Sequence, residues 1–320
     1  MTLPLQICLF LAGLALIVIG ADYLVDGASS LARRFGVSEF VIGLTIVGMG
    51  TSAPEMVVSF LGALKGNADI AVGNVVGSNV FNTLLILGVT AVIAPMTITR
   101  TNLRRDIPVN LAATLLLVLL GMKATIFGIG TDGLSRVEGG LLLAVFIAYM
   151  VTSFKKDSHP AEEAGPAKHI RPWVSALMIV GGLAALIGGG ELFVDSATGI
   201  AKRLGISDKF IAITILAGGT SMPELATCIV AARKHKGQLA LGNILGSNVF
   251  NLLLILGGSA LIHPLSFGTM GLADMGVLLL SAILVGLCAW TFRRNELDRR
   301  DGILLLLCEA AYFTWLCINL

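Results

Sequence analysis

Ten apolar runs alternate with short polar segments along the chain. About 20 apolar residues in a helix span the hydrocarbon core of a bilayer, so each run is predicted to be a transmembrane helix. The first run has no basic segment before it and no small-residue cleavage pattern, which favours a span over a removed signal. The predicted spans cover residues 3–21, 37–64, 69–94, 106–122, 137–153, 173–190, 206–232, 238–263, 272–292 and 302–319.

The two halves of the chain repeat each other at an offset of 169 residues, without a gap in the most similar regions. Matching pairs are 20–36 with 189–205, 45–55 with 214–224, and 73–88 with 242–257. Because five spans separate the copies, the second copy is expected to insert upside down, as in many secondary transporters.

This pattern predicts an all-α polytopic membrane protein of ten transmembrane helices, arranged as two inverted five-helix repeats with helices broken at the midplane. The hydrophilic segment between the halves is a linker, too short for a folded domain. The predicted units are a first repeat at 1–154 (core about 37–95), a linker at 155–172 and a second repeat at 173–320 (core about 206–264).

Composition agrees with a membrane protein, since 56% of the 320 residues are hydrophobic and 13% are charged. Soluble domains carry roughly 25% charged residues, so a water-soluble enzyme is excluded. The net charge of +2 gives no indication of nucleic-acid binding. When the 22 basic residues are assigned to alternating sides, 16 fall on the side of the linker. The positive-inside rule then places the linker in the cytoplasm and both termini outside.

Two acidic residues lie deep inside predicted spans. Most of the others are in loops or near span ends, as are Asp69, Asp106, Asp132, Asp157 and Asp298. Glu55 and Glu224, in contrast, occupy equivalent positions in the second and seventh spans. A carboxylate is costly in the membrane, so this pair is a functional hypothesis.

Both glutamates end the same motif, GTSxPE, at 50–55 and 219–224. Pro54 and Pro223 cannot donate a backbone hydrogen bond, so each span is predicted to break just before its proline. Unwound carbonyls around 48–51 and 217–220 would then become oxygen ligands. Ser52 and Glu55 also fit a capping box. The hydroxyls expected to join the ligands are those of Thr51, Ser52, Thr220 and Ser221.

The span after each motif carries polar residues at intervals of four, which lie along one helical stripe. Asn74, Asn79, Asn243 and Asn248 are expected to hydrogen-bond between helices. The remaining members of the stripes are expected to be cation ligands: Ser78, Asn82, Ser247 and Asn251.

The candidate ligands are all oxygen atoms, which hard cations such as Ca²⁺ and Na⁺ prefer. Zn²⁺ or Cu⁺ would call for Cys or His, and the sequence has no histidine cluster and no CxxC pair. No Ser/His/Asp arrangement supports an intramembrane hydrolase, and no cofactor is expected. With no cation bound, two ionised carboxylates would be costly to move through the membrane, so the empty carrier should not reorient. Cations that bind to the same oxygens would then have to be exchanged for one another.

The paired GTSAPE and GTSMPE motifs, with the paired GNxxGSNVFN motifs, make the chain resemble the cation/Ca²⁺ exchanger superfamily, and specifically the prokaryotic Na⁺/Ca²⁺ exchangers. The resemblance implies a non-enzymatic antiporter of the prokaryotic inner membrane, moving about three Na⁺ per Ca²⁺ by alternating access, with no obligate protein partner. It implies a central Ca²⁺ site at Glu55 and Glu224, surrounded by the four motif hydroxyls, with Asn82 nearby. Outer Na⁺ sites would involve Ser78, Ser247 and the carbonyls of Gly48 and Ala217.

One position departs from the resemblance, because some members carry an aspartate where this chain has Asn251. The resemblance also implies that the first and sixth spans slide as a gate. The acids near their predicted ends are expected to be solvated entrance residues: Asp22, Asp26, Glu191 and Asp195. An H⁺/Ca²⁺ exchanger, a K⁺-dependent exchanger and a passive cation channel remain as alternatives.

Overall fold

The computed structural model describes residues 2–156, 170–205, 217–268, 270–291 and 296–319, and nearly all of them are helical. The helices of the first half are α1 (Leu3–Phe35), α2 (Glu39–Thr51), α3 (Ala53–Leu64), α4 (Ala68–Ile93), α5 (Ile107–Gly121), α6 (Lys123–Phe127) and α7 (Arg136–Lys156). Those of the second half are α8 (Pro172–Arg203), α9 (Met222–Arg233), α10 (Gly237–Ile262), α11 (Leu272–Thr291) and α12 (Arg299–Asn319).

The described residues contain seven helices that are long and apolar enough to cross a membrane, or eight if α2 and α3 form one span bent by 50°. The all-helical membrane architecture is therefore confirmed. The fourth predicted span corresponds to the 15-residue α5, which follows a π-helical turn at Asn102–Asp106. The predicted span 206–232 lies partly outside the described residues.

The predicted ends of the first and sixth spans are wrong. Helix α1 has 33 residues and α8 has 32, whereas the apolar runs predicted 3–21 and 173–190. Helix α1 continues past residue 21 because Leu24, Val25 and Ala28 on one face are buried, although polar residues occupy the other face. It ends at Gly36, whose left-handed φ of 65° lets its N–H cap the last turn.

Glycines hold α1 and α8 together as an antiparallel pair. A Cβ added at Gly20 would lie 2.7 Å from the Gly182 carbonyl oxygen, and one at Gly13 would lie 2.8 Å from that of Gly189. These contacts are seven residues apart, which is two helical turns, so the glycines recur on one face of each helix. The two backbones can then approach closely within the membrane.

Helices α4 and α10 form the centre of the molecule. Within their most apolar windows 67% and 94% of residues are buried, against 22% for α1 and 17% for α12. Glycines Gly242 and Gly246 bring α10 against the backbone of α2 at Phe40 and Leu44. Exposed apolar side chains on the outer helices face the positions where lipid would lie.

Four two-residue strands connect the halves. β1 (Met96–Thr97) pairs antiparallel with β4 (Glu296–Leu297), and β2 (Gly133–Leu134) pairs antiparallel with β3 (Leu265–Ser266). Each ladder therefore joins a loop of the first half to a loop of the second. Segments this short have no hydrophobic alternation from which they could be predicted.

Candidate cation site

The two GTSxPE motifs lie where helices are interrupted in the interior. Helix α2 ends at Thr51 and α3 begins at Ala53, so only Ser52 separates them, with φ −82° and ψ 10°. Ser221 has nearly the same conformation before α9. Pro54 and Pro223 lie in the first turns of α3 and α9. Backbone N–H groups in a first turn make no hydrogen bond within the helix, so proline costs none there.

The expected unwinding on the N-terminal side of each break is wrong for the described residues. Gly48–Thr51 is helical, and so is Ala217–Gly219. The Gly48 carbonyl accepts hydrogen bonds from the Ser52 N–H (3.1 Å) and the Ser247 hydroxyl (3.2 Å). The interruption is confined to one or two residues because proline removes only one donor and excludes only the residues next to it.

Glu55 and Glu224 are both completely buried, and each accepts a hydrogen bond from the other motif. The Ser52 hydroxyl donates to Glu224 Oε1 (2.9 Å), and the Ser221 hydroxyl donates to Glu55 Oε1 (3.2 Å). The expected capping box is therefore wrong, because Ser52 makes no side-chain cap to α3. The serines instead link the two halves across the interior.

The other motif hydroxyls lie beside the same carboxylates. Thr51 Oγ1 is 3.1 Å from the Val47 carbonyl oxygen and 3.2 Å from Asn243 Oδ1. Thr220 lies beside the Glu55 carboxylate, and its enclosed hydroxyl makes no hydrogen bond of good geometry. Both threonines therefore belong to the polar cluster.

The serines of the two stripes reach the cluster from α4 and α10. Ser78 donates to Glu55 Oε1 (3.4 Å), and Ser247 lies beside Glu224 while donating to the Gly48 carbonyl. Ala217 stands at the start of the short helical turn before Thr220.

The side chains of four asparagines join α4 to α10 by two hydrogen bonds. Asn82 Nδ2 donates to Asn248 Oδ1 (3.3 Å), and Asn251 Nδ2 donates to Asn79 Oδ1 (2.9 Å). The repeat relates these two bonds to each other, because the 169-residue offset takes Asn82 to Asn251 and Asn79 to Asn248. In addition, Asn74 Nδ2 donates to the Glu55 backbone carbonyl at 3.2 Å.

Four buried carboxylate and amide oxygens of the site residues have no hydrogen-bond partner among the described residues: Glu55 Oε2, Glu224 Oε2, Asn82 Oδ1 and Asn251 Oδ1. They form two equivalent pairs, one pair of each residue type. Buried acceptors are nearly always hydrogen-bonded, so unpaired acceptors of this kind require an explanation. A cation bound among them would provide one.

Other acids also depart from the expectation that most acids are solvated, Asp106 and Glu309 among them. Asp106 is completely buried and accepts hydrogen bonds from Arg105 (2.7 Å), Asn102 (3.1 Å) and Tyr149 (3.0 Å). Glu309 lies half-buried in α12, with Oε2 enclosed and unpaired. Its place inside predicted span 302–319 was a signal of the kind that identified Glu55. Neither acid hydrogen-bonds to the cation-site residues described above.

The expected entrance residues differ between the two halves. Asp22 and Asp26 each form an ion pair with Lys234 at 2.7 Å, so they are not simply solvated. Partial burial alone would lower the pKa of Lys234, but the two carboxylates outweigh it and raise that pKa. Glu191 and Asp195 are exposed, with no ion pair to another described residue.

A bundle of apolar helices around a buried cluster of carboxylate, hydroxyl and amide oxygens is the arrangement typical of a membrane cation transporter. The sodium/calcium exchanger protein family model matches residues 5–155 and 174–318. The chain belongs to this family. The relatives and structural neighbours whose names state an activity are antiporters or exchangers, not enzymes.

Individual relatives match along nearly their whole length. The putative antiporter CaxA of Alkalimonas amylolytica is 37% identical over 94% of this chain and 95% of its own. The sodium/calcium exchanger MaX1 of Methanosarcina acetivorans is 33% identical over 95% of this chain and 96% of its own. A structure of the sodium–calcium exchanger NCX_Mj superimposes with a TM-score of 0.85 at 34% identity, covering 98% of this chain and 99% of that one.

Proposed function

We propose that this protein exchanges Na⁺ for Ca²⁺ across the membrane by alternating access. The observation that carries the proposal is the set of four buried, unpaired oxygens on Glu55, Glu224, Asn82 and Asn251. Carboxylate and amide oxygens without partners suit a hard cation. The names of MaX1 and NCX_Mj as sodium/calcium exchangers support the choice of ions.

The charge of the site explains why transport would be coupled. Two ionised carboxylates in a buried position carry a penalty of several kcal/mol each unless they are neutralised, so the empty carrier resists reorientation. One Ca²⁺ or two Na⁺ would balance the two charges. A third Na⁺ would leave a net positive charge, so exchange of about three Na⁺ for one Ca²⁺ would be electrogenic.

The remaining ligands of the proposed site follow the repeat. Thr51, Ser52, Thr220 and Ser221 would surround the central ion, while Ser78, Ser247 and the carbonyls of Gly48 and Ala217 would contribute to Na⁺ binding. The crossed bonds from Ser52 to Glu224 and from Ser221 to Glu55 support an inverted repeat, because equivalent residues exchange equivalent bonds. Ten transmembrane helices would then place both termini outside the prokaryotic inner membrane and the linker in the cytoplasm.

Purified protein in proteoliposomes tests the proposal. Vesicles loaded with Na⁺ and diluted into Na⁺-free medium containing Ca²⁺ should accumulate Ca²⁺, faster when valinomycin and K⁺ dissipate the charge that builds up. Uptake that follows an imposed H⁺ or K⁺ gradient instead would identify one of the other exchangers. Equal Ca²⁺ flux without any counter-ion would identify a channel and overturn the proposal.

A further inference from the structure

The amides at the centre of the site are connected in two chains of hydrogen bonds, here called relays. In the first relay, Asn251 Nδ2 donates to Asn79 Oδ1 (2.9 Å), and Asn79 Nδ2 donates to the Asn248 backbone carbonyl (3.1 Å). In the second relay, Asn82 Nδ2 donates to Asn248 Oδ1 (3.3 Å), and Asn248 Nδ2 donates to Thr83 Oγ1 (2.8 Å). Each relay therefore ends on an oxygen that accepts from an asparagine.

The direction of the first relay follows from its last acceptor. A backbone carbonyl can only accept, so the NH₂ group of Asn79 must face it and the oxygen of Asn79 must face the other way. There it meets Asn251, which must present its own NH₂ group. The oxygen of Asn251 is consequently turned away from Asn79 and is left without a partner.

The second relay has the same order but ends on a side chain. The Thr83 hydroxyl accepts from Asn248, which leaves the Asn248 oxygen to accept from Asn82. Leu252 is the repeat equivalent of Thr83 and carries no hydroxyl, so the two halves use different anchors. All the side chains of both relays are buried.

We propose that Asn79, Asn248 and Thr83 are positioning residues, which keep the amide oxygens of Asn82 and Asn251 turned toward the transported cation. This inference rests on the proposed function. An amide has one oxygen and one NH₂ group, so a rotated amide would present a donor to the ion. A carboxylate has two oxygens and needs no such orientation. Each relay therefore serves a proposed ligand that is an amide, Asn251 in the first relay and Asn82 in the second.

Thr83→Val tests the second relay, because valine keeps the shape of threonine and removes the hydroxyl that accepts from Asn248. We expect the Kd of Ca²⁺, measured by calorimetry on the purified protein, to rise about fivefold, as on losing one buried hydrogen bond that fixes a ligand. Thr83→Ser keeps the hydroxyl and should restore the wild-type Kd. If the Thr83→Val protein does not fold, Thr83→Ala replaces it as the test, and the same rise of about fivefold in the Kd of Ca²⁺ is expected.

Thr90→Val is the matched control, because Thr90 is also buried in α4 and its hydroxyl donates to the Ile86 carbonyl (2.6 Å) of the same helix. It should leave Ca²⁺ binding unchanged. In a protein that carries Asn82→Ala, Thr83→Val should cause no further loss of affinity, since the residue through which it acts is gone.

An unchanged Kd for Thr83→Val, or an equal loss with and without Asn82→Ala, would overturn the positioning role. Binding is measured at equilibrium, so the outcome does not depend on whether Na⁺ is the counter-ion. A protein that binds Ca²⁺ with these shifts but exchanges it for another ion would overturn only the proposed function. A wild-type protein that binds no Ca²⁺ would overturn both.

Discussion

Neutralising one carboxylate should weaken Ca²⁺ binding far more than any other single change of similar size. In Glu55→Gln the amide oxygen would keep the hydrogen bonds from Ser221 (3.2 Å) and Ser78 (3.4 Å). The NH₂ group would then occupy the place of Oε2, the oxygen that has no partner. The variant therefore loses a negative charge and also turns a donor toward the cation.

The size of the effect can be worked from burial and charge. At an effective dielectric constant of 20, two unit charges 4 Å apart interact by about 4 kcal/mol, and a divalent ion doubles this to about 8 kcal/mol. Desolvation offsets part of the attraction, and breaking a buried charge pair loses about 3–5 kcal/mol net. That loss corresponds to a rise in Kd of roughly 150- to 5000-fold.

Calorimetric titration of the purified protein with Ca²⁺ measures the change, and Glu224→Gln should behave in the same way. Glu309→Gln is the control, because Glu309 also has an enclosed, unpaired oxygen but lies in α12 and makes no hydrogen bond to the site residues. It should leave the Kd within twofold of wild type. A Glu55→Gln protein that binds Ca²⁺ within threefold of wild type would refute the reasoning.

Three further predictions concern the fold. Gly182→Ala places a Cβ 2.8 Å from the Gly20 carbonyl and should destabilise the protein by about 1–3 kcal/mol in thermal unfolding, whereas at neighbouring Gly181 a Cβ meets nothing within 4 Å and Gly181→Ala should have little effect. Hydrogen bonds from the side chain and backbone of Thr125 lower the pKa of Asp132. The ionised Asp132 therefore stabilises α6 above about pH 4, and this stabilisation is lost as the pH falls through the folded-state pKa. Hydrogen exchange of α6 should become faster over that range, and Asp132→Asn should abolish the pH dependence. Lys234→Gln removes partly exposed ion pairs and should cost less than about 1 kcal/mol, so a larger loss would contradict that estimate.

The polar motifs were recognisable from sequence because the membrane makes polar residues conspicuous. Glu55 and Glu224 stand out in apolar runs, and the exact offset between them reveals the repeat. Their hydrogen-bond partners were not recognisable. A capping box and a pair of crossed interhelical bonds both begin with a serine three residues before a glutamate, and only the packing of the two halves distinguishes them.

Helix ends were misjudged for a related reason. An apolar run shows only the part of a helix that is apolar on every side. Helix α1 continues for another 14 residues beyond its run, with one face buried and the other polar. The burial of Asp106 depended in the same way on a residue from another helix, Tyr149, which is distant in sequence.

By itself, the sequence determined the membrane as the solvent, the duplicated architecture and the oxygen chemistry of the site. These follow from composition and local pattern, which each segment carries independently. The tertiary structure decided which of these oxygens have hydrogen-bond partners and which have none among the described residues. That choice depends on how α4 and α10 meet, because the direction of an amide is set by a neighbour distant in sequence: Asn248, which orients Asn79, is 169 residues away.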